Sequence, residues 1–547
     1  MDMQKQVVIL GGGVAGMTAA HELMERGFRV TVYEFKGIPG GKARSIPKKG
    51  TGTGRRADLP GEHGFRFFPG FYRHVPDTMK RIPFGQNANG VFDNLVYATR
   101  TATLRDNLPM VVSLDNFPRN LTDMKLMLRS LFDNNMGLTL SDIDNLVHKT
   151  WQMLTSCDER KTEEYEKVPW WQFVNAEQQT EAFQHFMTAA TRVLVAAKSR
   201  EASAKTIGNV FAQLCVDLMT PGVGDDRLLN GPTNDVWIEP WLNYLREGGV
   251  EYHMNAEVKQ IHCENGEITG VTISQNGQEF IAQGDYYVSA LPVEIMAQKL
   301  TDEMLLADPT LHYIKQLASS VAWMNGIQYF LTEDLPVVHG HLLFMDAPWA
   351  LTAVSQAQFW PDFPMSQFGD GHVKGILSVD VSDWETPGVL YGKTAMECTA
   401  EEIKNEVWEQ MKRSINQNGD LLRDEMLHDW FLDPDIQFEN PAGQVETNLE
   451  PLLVNKAGTW DQRPDSYTQI RNFFLASDYV RTNTDLATME GANEAARRAV
   501  NSILNRAGSN AEPCEIFTMY EPDLFAIFRH HDRKRFNEGL PWDGKFF

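Results

Sequence analysis

The strongest constraint in the sequence is a glycine pattern set between a strand and a helix. Residues 7–10, Val-Val-Ile-Leu, form a continuous apolar run of the kind buried in a parallel sheet. They lead into Gly11-Gly12-Gly13-Val14-Ala15-Gly16, which fits G-x-G-x-x-G. Val14, Met17, Ala20 and Leu23 follow at helical spacing, and Gly27 ends that helix. Phe28, Val30 and Val32 then alternate with Arg29, Thr31 and Tyr33 as in a second strand, which Glu34 closes. Strand, turn, helix, strand and acid in this order predict a dinucleotide-binding unit. Gly11 permits the tight turn, Gly13 admits a pyrophosphate to the backbone, and Gly16 lets helix and strand pack closely. The helix N-terminus offers free N–H groups and the positive end of its dipole. Glu34 is placed to accept hydrogen bonds from an adenosine ribose.

A second glycine cluster, Pro39-Gly40-Gly41-Lys42-Ala43-Arg44, follows closely. It predicts a second backbone approach to the ligand, along a phosphate–ribityl region, with Arg44 as a phosphate partner. Near the other end, residues 473–478 read as a buried strand ending in Asp478, an acid suited to a polyol hydroxyl. Residues 488–504 read as a helix whose first turn carries the small residues Gly491 and Ala492. Between these ends, residues 252–261 and 268–273 are strand-like around Asn265-Gly266, and residues 285–292 read as another buried strand with a proline stop.

The expected fold is therefore α/β: a discontinuous Rossmann-like FAD-binding domain with an inserted α+β substrate domain. The first is drawn from residues 1–84, 235–300 and 465–508, the second from 85–234 and 301–464, and a tail spans 509–547. A length of 547 residues, 42% of them hydrophobic, agrees with more than one core. Residues 85–232 read as mainly helical, over 122–133, 140–156, 180–199 and 203–219. Residues 300–465 mix helix and strand, with an amphipathic helix over 402–416. Aromatic residues recur throughout these insertions, as for a core or for the wall of an apolar tunnel.

The chain resembles the FAD-dependent amine oxidase and carotenoid desaturase superfamily. The residues that carry the likeness are 11–45, the segment Glu62-His63-Gly64-Phe65-Arg66-Phe67-Phe68-Pro69-Gly70-Phe71-Tyr72, and residues 472–478 with 487–492. The middle segment is similar to plant-type phytoene and zeta-carotene desaturases, and more loosely to hydroxysqualene dehydroxylases. The resemblance implies non-covalent FAD. Gly11, Gly13, Val14 and Ala15 would cradle the pyrophosphate, with Gly16 behind them, and Glu34 would hold the ribose. Gly41, Lys42, Ala43 and Arg44 would follow the pyrophosphate and ribityl chain. Gly64, Phe65, Arg66 and Phe67 would lie near the isoalloxazine, with Arg66 or Phe65 facing it; Arg66 is the candidate catalytic residue. The Val258 backbone would meet the adenine, and Asp478, Met489, Gly491 and Ala492 would close the other end. One departure is Ser477, where the family carries glycine.

The activity implied is that of an FAD-dependent oxidoreductase, a desaturase or dehydrogenase that moves hydride from a hydrophobic, polyprenoid or other alkyl substrate to flavin N5. A quinone or oxygen would reoxidise it. Oxidation of an amine or a small natural-product intermediate stays open, as does a flavin-dependent isomerase or hydratase. Gly369-Asp370-Gly371 has the wrong spacing for a second nucleotide motif, so NAD(P)H is not expected.

Charge and composition narrow the partners. A formal net charge of −23 repels phosphate backbones, so nucleic acid is not expected. The 5 cysteines are scattered without a CxxC, which predicts reduced thiols in a cytoplasmic protein and no metal site. His63, His253, His339 and His341 have no partner at ligand spacing along the chain. No leader peptide and no spanning segment is expected. Residues 65–73 mix aromatic and basic side chains, which predicts a peripheral membrane contact there.

Overall fold

The computed structural model describes residues 4–114, 136–219, 224–438 and 442–545. The expected helix over 122–133 lies outside them. A five-stranded parallel sheet runs in the order Glu251–His253, Arg29–Tyr33, Gln6–Leu10, Tyr286–Ser289, Phe473–Leu475. Its central strand is buried on both faces. Val7 and Ile9 enter one core and Val8 and Leu10 the other, which is why the sequence shows an unbroken apolar run rather than alternation. The helix Val14–Glu25 packs on this sheet and against the helix Met489–Ala507. Ala496, Ala499 and Val500 of the latter share a core with Met17 and Ala20, and small residues let the two helices approach closely.

The insertions build a seven-stranded sheet in the order Leu427–Leu432, Asn325–Leu331, Gly375–Val381, Leu351–Ser355, Gly340–Phe344, Arg100–Arg105, Leu108–Leu114. All its pairs are antiparallel except that between Gly340–Phe344 and Arg100–Arg105. Its back face, with Ile327, Tyr329, Leu377 and Val379, packs on Ile403, Val407 and Met411 of the helix Ala400–Ile415. Its front face carries Gln328, Ser378, Asp380, Thr352 and His341, all buried. The chain is thus an α/β nucleotide-type fold joined to a second, substrate-side domain.

Two expectations are corrected. Residues 85–114 are mainly strand, after a short 3-10 helix over Gly90–Asn94: they supply the strands Leu95–Tyr97, Arg100–Arg105 and Leu108–Leu114, where β-branched residues alternate over a half-buried face. The helices Leu140–Thr155, Glu181–Val195 and Ala204–Met219 do form as read. Residues 65–73 do not present aromatics to a membrane: Phe65, Phe68, Phe71 and Tyr72 are buried, because the strand Phe67–Gly70 turns inward. Among the described residues no helix is long and apolar enough to cross a membrane.

Candidate active site

The C-terminal ends of the parallel strands face the front of the seven-stranded sheet across a cavity of about 650 Å³. The two glycine clusters form one of its walls, and they do so by packing on each other. Gly13 and Gly40 pair as an isolated parallel bridge. Gly41 has φ +60°, and a Cβ on it would stand 2.8 Å from the Gly13 Cα. Gly11 has φ +98° and donates its N–H to the Tyr33 carbonyl at 2.8 Å. A Cβ on Gly16 would lie 1.9 Å from the Gly11 carbonyl oxygen. Gly16 therefore serves helix packing and does not reach the cavity.

Glu34 is buried at the wall. Its Oε2 accepts the Gly12 N–H at 2.7 Å and its Oε1 accepts the Lys36 N–H at 2.8 Å. Each oxygen keeps lone-pair capacity for a further donor. Burial raises the Glu34 carboxyl, against the two N–H bonds. Tyr252 fills the space beside Gly12 and donates its hydroxyl to the Gly12 carbonyl at 2.6 Å.

Gly11, Gly13, Val14, Ala15, Glu34, Gly41, Lys42, Ala43, Gly64, Phe65, Arg66, Phe67, Val258, Asp478, Met489 and Ala492 all line the cavity. Three expected residues do not. Gly16 is accounted for above. Gly491 gives its N–H to the Thr488 Oγ1 cap at 3.2 Å, and a Cβ there would meet the Leu486 carbonyl at 2.4 Å. Arg44 is buried against Asp435 and donates to the Gly41 carbonyl, so it braces the second glycine loop instead of facing a phosphate. Lys36 pairs with Asp435 at 2.7 Å and Glu450 at 3.2 Å, and the Lys42 ammonium donates to the Pro451 carbonyl. The cations of this loop thus tie the nucleotide-type fold to residues 435–451.

Arg66 turns back on its own loop. Its Nε donates to the Gly64 carbonyl at 3.1 Å. Glu62 and Asp380 flank it, and burial pushes both carboxyls up to about 7 against the Arg66 charge. Asp380 sits behind Gly64, where a Cβ would lie 2.7 Å from Asp380 Oδ1. His341 stands edge-on to Phe65 and tilted over Phe67, with centroids 5.2 and 4.7 Å away. Ser477, in the position expected to depart from the family, also lines the wall, and its hydroxyl donates to Asp478 Oδ1 at 3.3 Å.

His63 finds a partner that its chain neighbours do not show. Its Nδ1 lies 2.7 Å from Asp433 and 3.7 Å from Asp435. These three residues bring ligand atoms within 4.8 Å of one another. Lys36 and Arg44 already pair with Asp435, so the group is a closed ion network and not an open cation site. The two carboxylates outweigh burial and raise the imidazole.

Sequence reasoning missed Asp380 and Thr352 and met His341 only as a histidine without a partner along the chain. Their signal was present but faint: polar residues at alternate positions in short apolar strands, such as Ser378 and Asp380 in Gly375–Val381.

A parallel nucleotide-type sheet with paired glycine loops, facing an antiparallel sheet across one cavity, defines a two-domain dinucleotide-dependent enzyme. The model of the flavin containing amine oxidoreductase family matches residues 14–504, and the chain belongs to that family. It is an FAD-dependent oxidoreductase. The zeta-carotene desaturase of Synechocystis sp. is 23% identical over 533 residues, covering 91% of this chain and 97% of that one. The 15-cis-phytoene desaturase of Synechococcus elongatus is 23% identical over 523 residues, covering 92% and 96%. The cyclohexylamine oxidase of Brevibacterium oxydans superposes with a TM-score of 0.59 at 13% identity, over 92% of this chain and all of that one, a likeness of fold.

Proposed function

We propose that the protein dehydrogenates a C–C unit of a largely apolar substrate. The observation that carries the reading is the apolar wall of the cavity, where Val193, Val210 and Leu214 of two inserted helices join Phe65, Phe67 and Phe71 in the lining. Such a wall suits an alkyl or prenoid chain, in keeping with the desaturase relatives. The same reading assigns residues 1–84, 235–300 and 465–508 to FAD and the insertions to the substrate.

The cradle fits a non-covalently held FAD. Gly13 and Gly41 leave backbone exposed without side chains, Glu34 retains acceptor capacity for the ribose, and Val258 lies at a bulge beside the wall. When bound, FAD supplies the hydride acceptor. The chain's own residues hold the rest. Arg66 fixes the carbonyl of Gly64. Asp380, whose buried carboxyl is lifted to about 7, takes in its ionised form the proton released with the hydride. The aromatic and aliphatic wall keeps water out. A quinone or oxygen removes the electrons. Oxidation of an amine is the second reading, favoured by the buried Asp380 carboxylate as a counter-charge.

The test is anaerobic mixing of the purified flavoprotein with a polyprenoid and, separately, an alkyl amine. Bleaching of the flavin absorbance by the polyprenoid supports the first reading, and bleaching by the amine alone replaces it with the second.

A further inference from the structure

On the front of the seven-stranded sheet, three buried polar atoms lining the cavity have no hydrogen-bond partner among the described residues: Asp380 Oδ1, His341 Nε2 and Thr352 Oγ1. Their residues are 6%, 9% and 1% exposed. The strand register sets them together. Thr352 lies directly opposite Asp380. His341 lies opposite Val354, two residues along from Thr352 and on the same face. Buried polar atoms are paired in the great majority of cases. On this same face Gln328 and Ser378 do satisfy each other, at 3.0 Å. Gln356 Oε1 and Ser382 Oγ, just past the ends of two of these strands, are also without a partner among the described residues, but only Asp380, Thr352 and His341 line the cavity.

Their chemistry limits what they recognise. Burial pushes the His341 imidazole down to about 4, so the ring is neutral near pH 7 and its Nε2 donates or accepts according to tautomer. The Thr352 hydroxyl does both. Glu62 and Asp380 lie beside the nearby Arg66, whose charge burial opposes. His341 and Thr352 therefore offer hydrogen bonds without charge. A hydrocarbon leaves both unpaired, and an ammonium finds no counter-ion in them. Their position on the inserted sheet, across from the glycine loops, puts them on the substrate side.

We propose that His341 and Thr352 form a subsite for an uncharged oxygen function, a hydroxyl or carbonyl, carried by an otherwise apolar substrate. This rests on reading the cavity as the site of an FAD-dependent dehydrogenase of an apolar chain.

The test uses the purified holoenzyme, with the oxidised flavin spectrum as a binding readout. Three matched probes are titrated: a C20 prenyl alcohol, the corresponding hydrocarbon and the corresponding primary amine. The alcohol is expected to bind about tenfold tighter than either, the worth of a net buried hydrogen bond. Thr352→Val and His341→Phe are expected to remove that preference while leaving hydrocarbon affinity within about twofold, and Thr352→Ser to keep it. Equal binding of alcohol and hydrocarbon overturns the subsite but leaves the apolar-substrate reading standing. Perturbation by the amine alone, or by none of the three, overturns both. If Thr352→Val and His341→Phe lose flavin rather than alcohol preference, the two residues serve the cofactor and the subsite is rejected.

Discussion

A Cβ on Gly41 would stand 2.8 Å from the Gly13 Cα, so the two glycine clusters form one object, each shaping the other's surface. Gly41→Ala carries two penalties: a left-handed φ of +60° and a clash with backbone that no rotamer relieves. The expected loss is about 1–3 kcal/mol of stability, together with release of FAD. Gly50 also has a positive φ, +82°, but nothing lies within 4 Å of its Cβ position. Gly50→Ala should show only the backbone penalty and keep its flavin. Urea unfolding and the visible absorbance per chain measure both. Equal flavin content in the two variants would reject the shared wall.

Glu34 binds two backbone N–H groups and faces the cavity with its remaining lone pairs. Glu34→Gln turns an amide nitrogen towards one of those N–H groups, donor against donor. FAD affinity should fall by about tenfold or more, since hydrogen bonds to charged groups contribute about 1.5–3 kcal/mol. Flavin retained after ultrafiltration is the measurement. An unchanged content would count against the ribose role.

Glu62 and Asp380 are both raised to about 7, chiefly by burial, from ordinary values of 4.5 and 3.8. The folded chain therefore keeps protons that the unfolded chain releases near pH 4. Their contribution to stability is present below that range and is lost as pH rises through about 7. Asp380→Asn cannot ionise and escapes this loss. Its stability relative to the parent should rise steadily from pH 4 to 7 and then level off. Denaturant midpoints across that range test it, and a flat difference would mean that Asp380 is ionised throughout.

The glycine pattern, the alternation of residues 28–33 and the small-residue face of the closing helix were legible because each is local: its cause lies within one or two turns of chain. The cavity wall around residues 11–15 follows from such signals, whereas residues 64–67 were placed by the family resemblance. Arg44 was not legible, because its partner Asp435 lies 391 residues away and converts an apparent phosphate ligand into a brace. The ion pair of His63 was hidden for the same reason, its partner Asp433 being distant in the chain. Asp380, Thr352 and His341 sit on strands whose two faces are both buried, so the period-two signal that separates core from site is weak. Gly491 looked like a ligand contact, and only the neighbouring Leu486 carbonyl reveals that chain packing requires it.

The basic tail gives a last prediction, because Arg529, Arg533 and Arg535 are paired with acids of this same chain. The helix Ala526–Asn537 is pinned by Asp532, which is 2% exposed. Asp532 accepts from Arg160 Nε at 2.9 Å and from the Cys157 N–H at 2.9 Å. Arg533 pairs with Glu159 at 2.7 Å, and Arg160 donates to the Leu540 carbonyl at 2.8 Å. Asp532→Ala leaves the Arg160 guanidinium buried with the half-exposed Glu164 as the carboxylate still paired to it. Breaking a buried pair on one side costs about 3–5 kcal/mol, more than a short helix gains from docking. The helix should detach and unwind, opening the backbone at Arg529, Arg533, Lys534 and Arg535 to trypsin, while flavin content stays constant because no residue of this segment lines the cavity. Replacing both partners, Arg160→Leu with Asp532→Leu, removes the orphaned charge and should restore protection. Equal cleavage of the single and double variants would show that the helix is held by something other than this pair.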